Sequence, residues 1–145
     1  MFERAVSAGH LMGWASRLFA RALDRRIRPL GISVGQVPVL LMLTESAQLS
    51  QKELVERAAI EQPAMVAILK RMEAGGLAVR LTDPNDRRTS LFELTPKAHA
   101  VMEPLFVALA EGNNHALADF DASERDLLIS MLGRVIRNIA QTVRP

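Results

Sequence analysis

The stretch from residue 49 to residue 98 decides the fold, and it reads LSQKELVERAAIEQPAMVAILKRMEAGGLAVRLTDPNDRRTSLFELTPKA. Ser50 is followed three residues later by Glu53, a capping-box spacing that predicts the start of a short helix. A break over residues 59–61 ends this helix. A second helix begins at Gln62 and Pro63, because proline suits the first helical turn, where its missing N–H would have no partner anyway. The stretch therefore opens with two consecutive helices joined by a few residues.

A hairpin follows the second helix. The glycine pair at 75 and 76 predicts the helix end, and the partly alternating runs 77–81 and 90–94 predict two strands. The turn-rich segment DPNDRRT between them predicts a long tip that carries Arg87 and Arg88. Two short helices followed by a hairpin are typical of a winged helix-turn-helix, in which the second helix enters a major groove of DNA and the hairpin forms the wing.

Helices flank this stretch on both sides. The predicted fold class is mainly α with a small β-hairpin wing, in one domain over residues 1–145. The winged helix-turn-helix covers 32–95, and the helices of 1–31 and 96–145 serve dimerisation. The predicted flanking helices cover 7–28, 33–45 after a capping box at Ser33 and Gln36, 96–118, and the residues after a cap at Asp121 with Glu124 or at Ser123 with Asp126.

The phase of the second helix assigns its two faces. Met65, Ile68, Leu69 and Met72 recur at helical spacing and are expected to face the core. The outward face is small and mostly apolar, and it comprises Gln62, Pro63, Ala64, Val66, Ala67, Lys70 and Arg71.

Each outward residue type suits a different DNA contact. Gln62 can pair with adenine, and small apolar groups such as Ala64 and Ala67 can meet thymine methyl groups. Lys70 and Arg71 suit phosphate; Arg71 is equally suited to a structural ion pair with an acidic side chain.

Two other segments complete the predicted DNA-binding surface. Ser50 and Gln51 lie at a helix N-terminus, whose amide groups favour phosphate. Arg87 and Arg88 at the wing tip suit the narrow, negatively charged minor groove. Asp86 is expected to orient an arginine, because a bare carboxylate beside phosphate is unfavourable.

Composition narrows the function classes. The chain of 145 residues has no cysteine, which excludes disulfides and thiolate zinc sites. No apolar run approaches the roughly 20 residues of a membrane span, and the charged N-terminus does not resemble a signal peptide, so we expect a cytoplasmic protein. The three histidines, His10, His99 and His115, do not share a metal-binding spacing. Catalytic and phosphate-loop motifs are missing as well, so we expect neither an enzyme nor a cofactor.

The stretch 49–98 resembles the MarR family of bacterial transcriptional regulators, and the flanking helices are similar too. The most specific features are Asp86 and Arg88 followed by Leu94-Thr95, which look like the wing signature of the family, and the entry to the second helix at Gln62-Pro63. The resemblance implies a homodimer that binds a pseudo-palindromic operator in double-stranded DNA. It also implies repression that is relieved when a small aromatic acid or phenol binds.

Two features of the terminal helices bear on these implications. Their apolar stripes need a partner, which favours a dimer over a monomer with a six-helix core. His10, Trp14 and Arg17 share one face of the first helix. They can hold the carboxylate of an aromatic acid or can simply pack in an interface.

One further alternative concerns the outward face of the second helix. Because this face is small and apolar, it also suits a winged-helix module that binds a protein partner without specific DNA binding.

Overall fold

The computed structural model describes residues 3–143. Six α-helices and a three-stranded antiparallel sheet follow one another in the predicted order. The helices are α1 (Ala8–Ile27), α2 (Val37–Glu45), α3 (Gln51–Ala58), α4 (Gln62–Ala74), α5 (Pro96–Ala116) and α6 (Ala122–Thr142), and the strands are β1 (Leu49–Ser50), β2 (Ala78–Asp83) and β3 (Asp86–Leu94). The fold class predicted from the sequence is confirmed.

Reciprocal capping boxes begin α3 and α6. The N–H of Glu53 donates to Ser50 Oγ at 3.2 Å, and the N–H of Ser50 donates to the Glu53 carboxylate at 2.8 Å. Asp121 and Glu124 make the same two bonds at 2.9 Å each. Of the two caps that the sequence left open for the last helix, the one at Asp121 is therefore the cap that forms.

Helix α2, predicted to begin at residue 33, starts later than the sequence predicts. Ser33 and Gln36 do form a capping box, with the Ser33 N–H donating to Gln36 Oε1 at 3.0 Å. This box opens a 3-10 turn over Val34–Gln36, and α2 begins only at Val37. Within α2, Val39 and Leu40 are fully buried, which confirms that this helix lies at the centre of the core.

The sheet differs from the predicted two-stranded hairpin with a long tip. β1 pairs with β3 as a third strand, with Leu49 opposite Phe92. β2 and β3 extend to Asp83 and Asp86, so that only two residues separate them. The predicted long tip is wrong, because Asp83 pairs with Asp86 after a register shift, so the ladder continues into the segment 83–89 that its turn-forming residues had assigned to a loop.

The chain separates into two compact units, residues 1–110 and residues 111–145. The core of the first unit contains Leu40, Leu54, Met65, Phe92 and Leu105, each fully buried. In the second unit, α6 exposes a series of apolar side chains. These are Leu127, Ile129, Met131, Leu132, Ile136 and Ile139.

Neither a membrane helix nor a metal cluster stands out over residues 3–143. No single helix is long and apolar enough to cross a membrane, and the pair 8–30 and 34–45, which together have the length and composition, is bent by 91°. The same residues contain no group of three or more His, Asp or Glu side chains that would hold a metal ion.

Candidate nucleic-acid interface

The two faces of α4 are arranged as its periodicity predicts. Met65, Ile68, Leu69 and Met72 are buried, which anchors the helix against the core. The opposite face is open to solvent. Its exposed residues are Gln62, Pro63, Ala64, Ala67, Lys70 and Arg71, with Val66 half-buried.

A cleft of about 630 Å³ lies between the starts of α3 and α4 and the wing. We call it the wing cleft. It brings together the predicted residues Ser50, Gln51, Gln62 and Arg88. The remaining lining residues are Lys52, Val55, Glu56, Arg80, Thr89, Ser90 and Phe92. Three cations, Lys52, Arg80 and Arg88, therefore line a cleft beside the exposed face of α4.

The two wing arginines lie in β3 rather than in the turn. The turn itself is ordered by Asp83, whose carboxylate accepts the N–H of Asn85 at 2.8 Å. The register of β3 with β2 shifts between Thr82 and Asp83, so regular alternation of side chains does not extend through residues 87–89. Arg88 lines the wing cleft together with Phe92. Only Arg88 of the two lines the wing cleft.

Asp86 orders the backbone of the wing. Its carboxylate accepts the backbone N–H of Arg88 at 3.0 Å and the hydroxyl of Thr89 at 2.8 Å. These two hydrogen bonds hold the pKa of Asp86 below its ordinary value, since both favour the ionised carboxylate. The contact of Asp86 with Arg88 is to the main-chain N–H; a role of Asp86 in orienting an arginine side chain stays a prediction.

At the start of α3, Ser50 has fewer hydrogen-bond donors available for a phosphate than the sequence suggests. The hydroxyl and the N–H of Ser50 both donate to the Glu53 carboxylate, at 3.0 and 2.8 Å. These hydrogen bonds and the nearby Arg57 lower the pKa of Glu53, so this carboxylate stays charged. The groups left for a phosphate are the unpaired first-turn N–H groups of a helix, here those of Gln51 and Lys52, together with the Lys52 ammonium.

The ion pairs of the described residues bear on whether Arg71 makes a structural ion pair or is available for phosphate. Within residues 3–143 the side-chain ion pairs are Arg28 with Asp24 and Arg80 with Glu73. Arg71 takes part in neither and is exposed. The acidic side chain of the α4 end, Glu73, is instead paired with Arg80, a residue of the wing.

The three residues of the predicted ligand site lie together on α1. The rings of His10 and Trp14 have centroids 6.2 Å apart and are tilted by 50°. Trp14 is about half exposed and Arg17 is also exposed. The wing cleft does not include them, and neither does a second cleft, which is lined by Ala20, Arg21, Asp24, Arg25, Arg28 and Val34.

Sequence reasoning missed Lys52 and Arg80. Lys52 follows Gln51 in the first turn of α3, and its position beside the capping box was a usable signal. Arg80 lies in a strand. The alternation of polar and apolar residues along a strand predicts which face of the sheet a side chain lies on, but not which residues it contacts. Its contacts with Glu73 and Phe92 depend on how the wing folds back on α4.

An exposed helix of a helix pair, flanked by a strand hairpin that carries cations, defines a winged helix-turn-helix. A profile of the MarR family matches residues 30–89. The HTH-type transcriptional regulator YdgJ of Bacillus subtilis is 31% identical over 109 residues, which make up 75% of this chain and 66% of that protein. The chain belongs to the MarR family.

Solved structures of the family have the same fold. MarR from Escherichia coli, in a cysteine-to-serine variant complexed with operator DNA, superposes with a TM-score of 0.84 at 25% identity, over 93% of this chain and 97% of that one. The PcaV regulator of Streptomyces coelicolor, in complex with its natural ligand, gives a TM-score of 0.81 at 25% identity, over 94% and 96% of the two chains.

Proposed function

We propose that this chain is a sequence-specific DNA-binding repressor that recognises a pseudo-palindromic operator as a homodimer. The observation that carries the proposal is the solvent-open face of α4 beside the wing cleft, with Arg88 on the cleft wall. The similar E. coli protein is complexed with operator DNA. Action on chromosomal DNA places the protein in the cytoplasm.

The contacts divide into base readout and backbone positioning. Gln62, Pro63, Ala64 and Ala67 on α4 read bases in the major groove, mainly through one amide and small apolar groups. Backbone positioning uses a larger set of groups on three elements. It comprises Lys70 and Arg71 at the α4 end, Gln51 and Lys52 at the α3 start, and Arg87 on the wing. Arg88 enters the minor groove, where narrow A-tract segments attract a guanidinium.

Homodimerisation is supported by apolar surface at both ends of the chain. Leu11, Trp14 and Leu18 on α1 are 43–52% exposed, and Ile129 and Ile136 on α6 are 65% and 66% exposed. Such stripes are normally buried against another element. A two-fold pair covers them and sets two α4 helices about 34 to 36 Å apart, one turn of DNA.

Relief of repression by a small aromatic acid is the finer part of the proposal. His10, Trp14 and Arg17 offer an imidazole, an aromatic wall and a guanidinium on one helix face, a combination that suits a carboxylate attached to a ring. The similar PcaV structure contains a natural ligand.

A second candidate function follows from the exposed apolar groups of α4. Pro63, Ala64 and Ala67 are all exposed and lack side-chain hydrogen-bond donors. A protein partner that docks on this face would use the winged helix without specific DNA binding. Salt separates the two functions, because DNA binding through several phosphates weakens steeply as salt rises.

Selection of bound duplexes from a random pool tests the proposal directly. We expect enrichment of a two-fold symmetric sequence whose half-sites are centred about 10 base pairs apart, and we expect its affinity to fall steeply with salt. The selection is then repeated with benzoate, salicylate and heteroaromatic acids, and we expect at least one of them to reduce retention of the selected duplex. A pool that yields no enriched sequence, with binding indifferent to salt, contradicts the DNA-binding function and favours the protein partner.

A further inference from the structure

Arg80 joins α4 to the wing. It lies on β2, and its Nη2 donates to Glu73 Oε1 in the last turn of α4 at 3.0 Å. Its guanidinium carbon also lies 5.1 Å from the centroid of the Phe92 ring, on the neighbouring strand β3. Phe92 is fully buried and is the cross-strand partner of Arg80. One side chain on β2 thus contacts both α4 and β3.

The pair adds little to attraction or to stability. Arg80 and Glu73 together carry no net charge, so they contribute little to the field that draws DNA. Their side chains are 48% and 31% exposed, and ion pairs of such exposure are weak, as are exposed contacts between a guanidinium and a ring. The geometric effect of the contact is therefore larger than its energetic effect.

Two other side-chain hydrogen bonds at the C-terminal end of α4 come from residues at the start of α5 and not from the wing. The Thr95 hydroxyl donates to Gly76 O at 2.6 Å, and Lys97 Nζ donates to Gly75 O at 2.7 Å. Both bonds hold the helix end against the start of α5. The ion pair of Arg80 with Glu73 is the link from α4 to the middle of the wing.

We propose that Arg80 is a positioning residue that sets the wing, and with it Arg88, relative to α4. Arg88 is four residues before Phe92 on β3 and lines the same cleft, up to roughly 13 Å along the strand at about 3.3 Å per residue. A tilt of the strand at Phe92 therefore moves the Arg88 guanidinium away from the groove that it must enter while α4 is docked. The inference rests on the proposed DNA-binding function.

A direct phosphate contact is the competing role for Arg80, because Arg80 lines the wing cleft beside Lys52. Glu73→Gln separates the two roles. It breaks the ion pair and removes a negative charge near DNA. If Arg80 positions the wing, Glu73→Gln weakens binding despite this favourable change in charge. If Arg80 binds phosphate, freeing its guanidinium strengthens binding.

The experiment measures the dissociation constant and its salt slope on the selected duplex for wild type, Arg80→Ala, Arg80→Lys, Glu73→Gln, Arg88→Ala and the Arg80→Ala/Arg88→Ala double variant. We expect Arg80→Ala and Glu73→Gln each to weaken binding about threefold to tenfold, the change that corresponds to roughly 0.7 to 1.4 kcal/mol. Arg80→Lys keeps a cation opposite Glu73, so we expect it to retain most of the affinity.

Two readouts distinguish positioning from simple destabilisation or charge loss. The salt slope of Arg80→Ala falls by no more than that of Arg88→Ala, because the DNA contact that it weakens is that of Arg88. In the Arg88→Ala background, Arg80→Ala causes little further loss, because its effect passes through Arg88.

Three results would overturn the role: a salt slope reduced more in Arg80→Ala than in Arg88→Ala, tighter binding of Glu73→Gln, or additive losses in the double variant. Thermal unfolding of each variant checks the fold, and Arg80→Lys and Glu73→Gln carry the test if Arg80→Ala unfolds. A wild type that selects no duplex contradicts the proposed function instead.

Discussion

At the scale of single residues, neighbouring arginines of the wing are not equivalent. Arg88 lines the wing cleft together with Phe92, and its main-chain N–H donates to Asp86 at 3.0 Å. Arg87 is not among the residues that line this cleft. Restraint of the main chain lowers the entropy that Arg88 loses on binding, so we expect Arg88 to contribute more to operator affinity than Arg87 does.

Arg88→Ala is expected to weaken operator binding by about 1 to 3 kcal/mol and to leave the dimer intact. Arg87→Ala is the matched control: it removes the same charge from the same strand, and we expect a loss below about 1 kcal/mol with a small reduction in salt slope. Mobility-shift titrations at fixed salt measure both variants. Equal losses for the two variants, or no loss for Arg88→Ala, would contradict the unequal roles.

At the scale of elements, the local capping signals were the most reliable part of the sequence. The boxes at Ser50 and Asp121 depend on four consecutive residues and form as predicted. The wing was predicted less well. The extent of β3 depends on partners across the sheet, and β1 contains only two residues, Leu49 and Ser50, too few for alternation to reveal a strand. The placement of Arg80 against Glu73 is a tertiary contact that no local pattern encodes.

The capping box of α3 predicts a pH dependence of stability. Because the folded chain lowers the pKa of Glu53, its contribution to stability is present above the ordinary pKa that this residue has in the unfolded chain and is lost as the pH falls through the lower folded pKa. Glu53→Gln keeps the spacing of the box but not the charge at the helix N-terminus. We expect this variant to be about 0.5 kcal/mol less stable than wild type at pH 7, with the difference shrinking towards pH 3.

Urea unfolding at one protein concentration measures this difference at the two pH values. Glu56→Gln removes the same charge from an exposed position of the same helix outside the capping box, and we expect little change at either pH. A constant difference between Glu53→Gln and wild type from pH 7 to pH 3 would show that the charge of Glu53 does not act through the cap.

At the scale of the whole molecule, α1 and α6 each expose a set of apolar side chains to solvent. Both stripes were foreseen from helical periodicity, and their side chains are exposed within a single chain. Periodicity identifies an apolar face but not the element that covers it. Leu18 and Leu23 both fit the apolar pattern of α1, yet Leu23 is buried in the core and Leu18 is exposed. In the proposed dimer, the exposed apolar residues of these two helices are the ones that a second copy would cover.

Ile136→Asp tests the dimer. Ile136 is 66% exposed on α6, and burial of an isoleucine side chain contributes roughly 1.5 to 3 kcal/mol. The contact occurs twice across a two-fold interface, so we expect the dimer dissociation constant to rise at least a hundredfold, which is about 2.7 kcal/mol. Asn138→Asp introduces the same charge at an exposed polar position of α6 and is expected to leave the dimer unchanged. Analytical ultracentrifugation over a dilution series measures both constants.

A loss of the dimer should also change DNA binding in a specific way. Monomeric Ile136→Asp keeps α4 and the wing, so we expect it to bind an isolated half-site as weakly as wild type does and to lose the gain that the wild-type dimer obtains from two linked half-sites. Equal affinity of Ile136→Asp and wild type for the full operator, with both proteins monomeric at the concentrations used, would mean that a single chain makes all the contacts and that the two-fold arrangement is wrong.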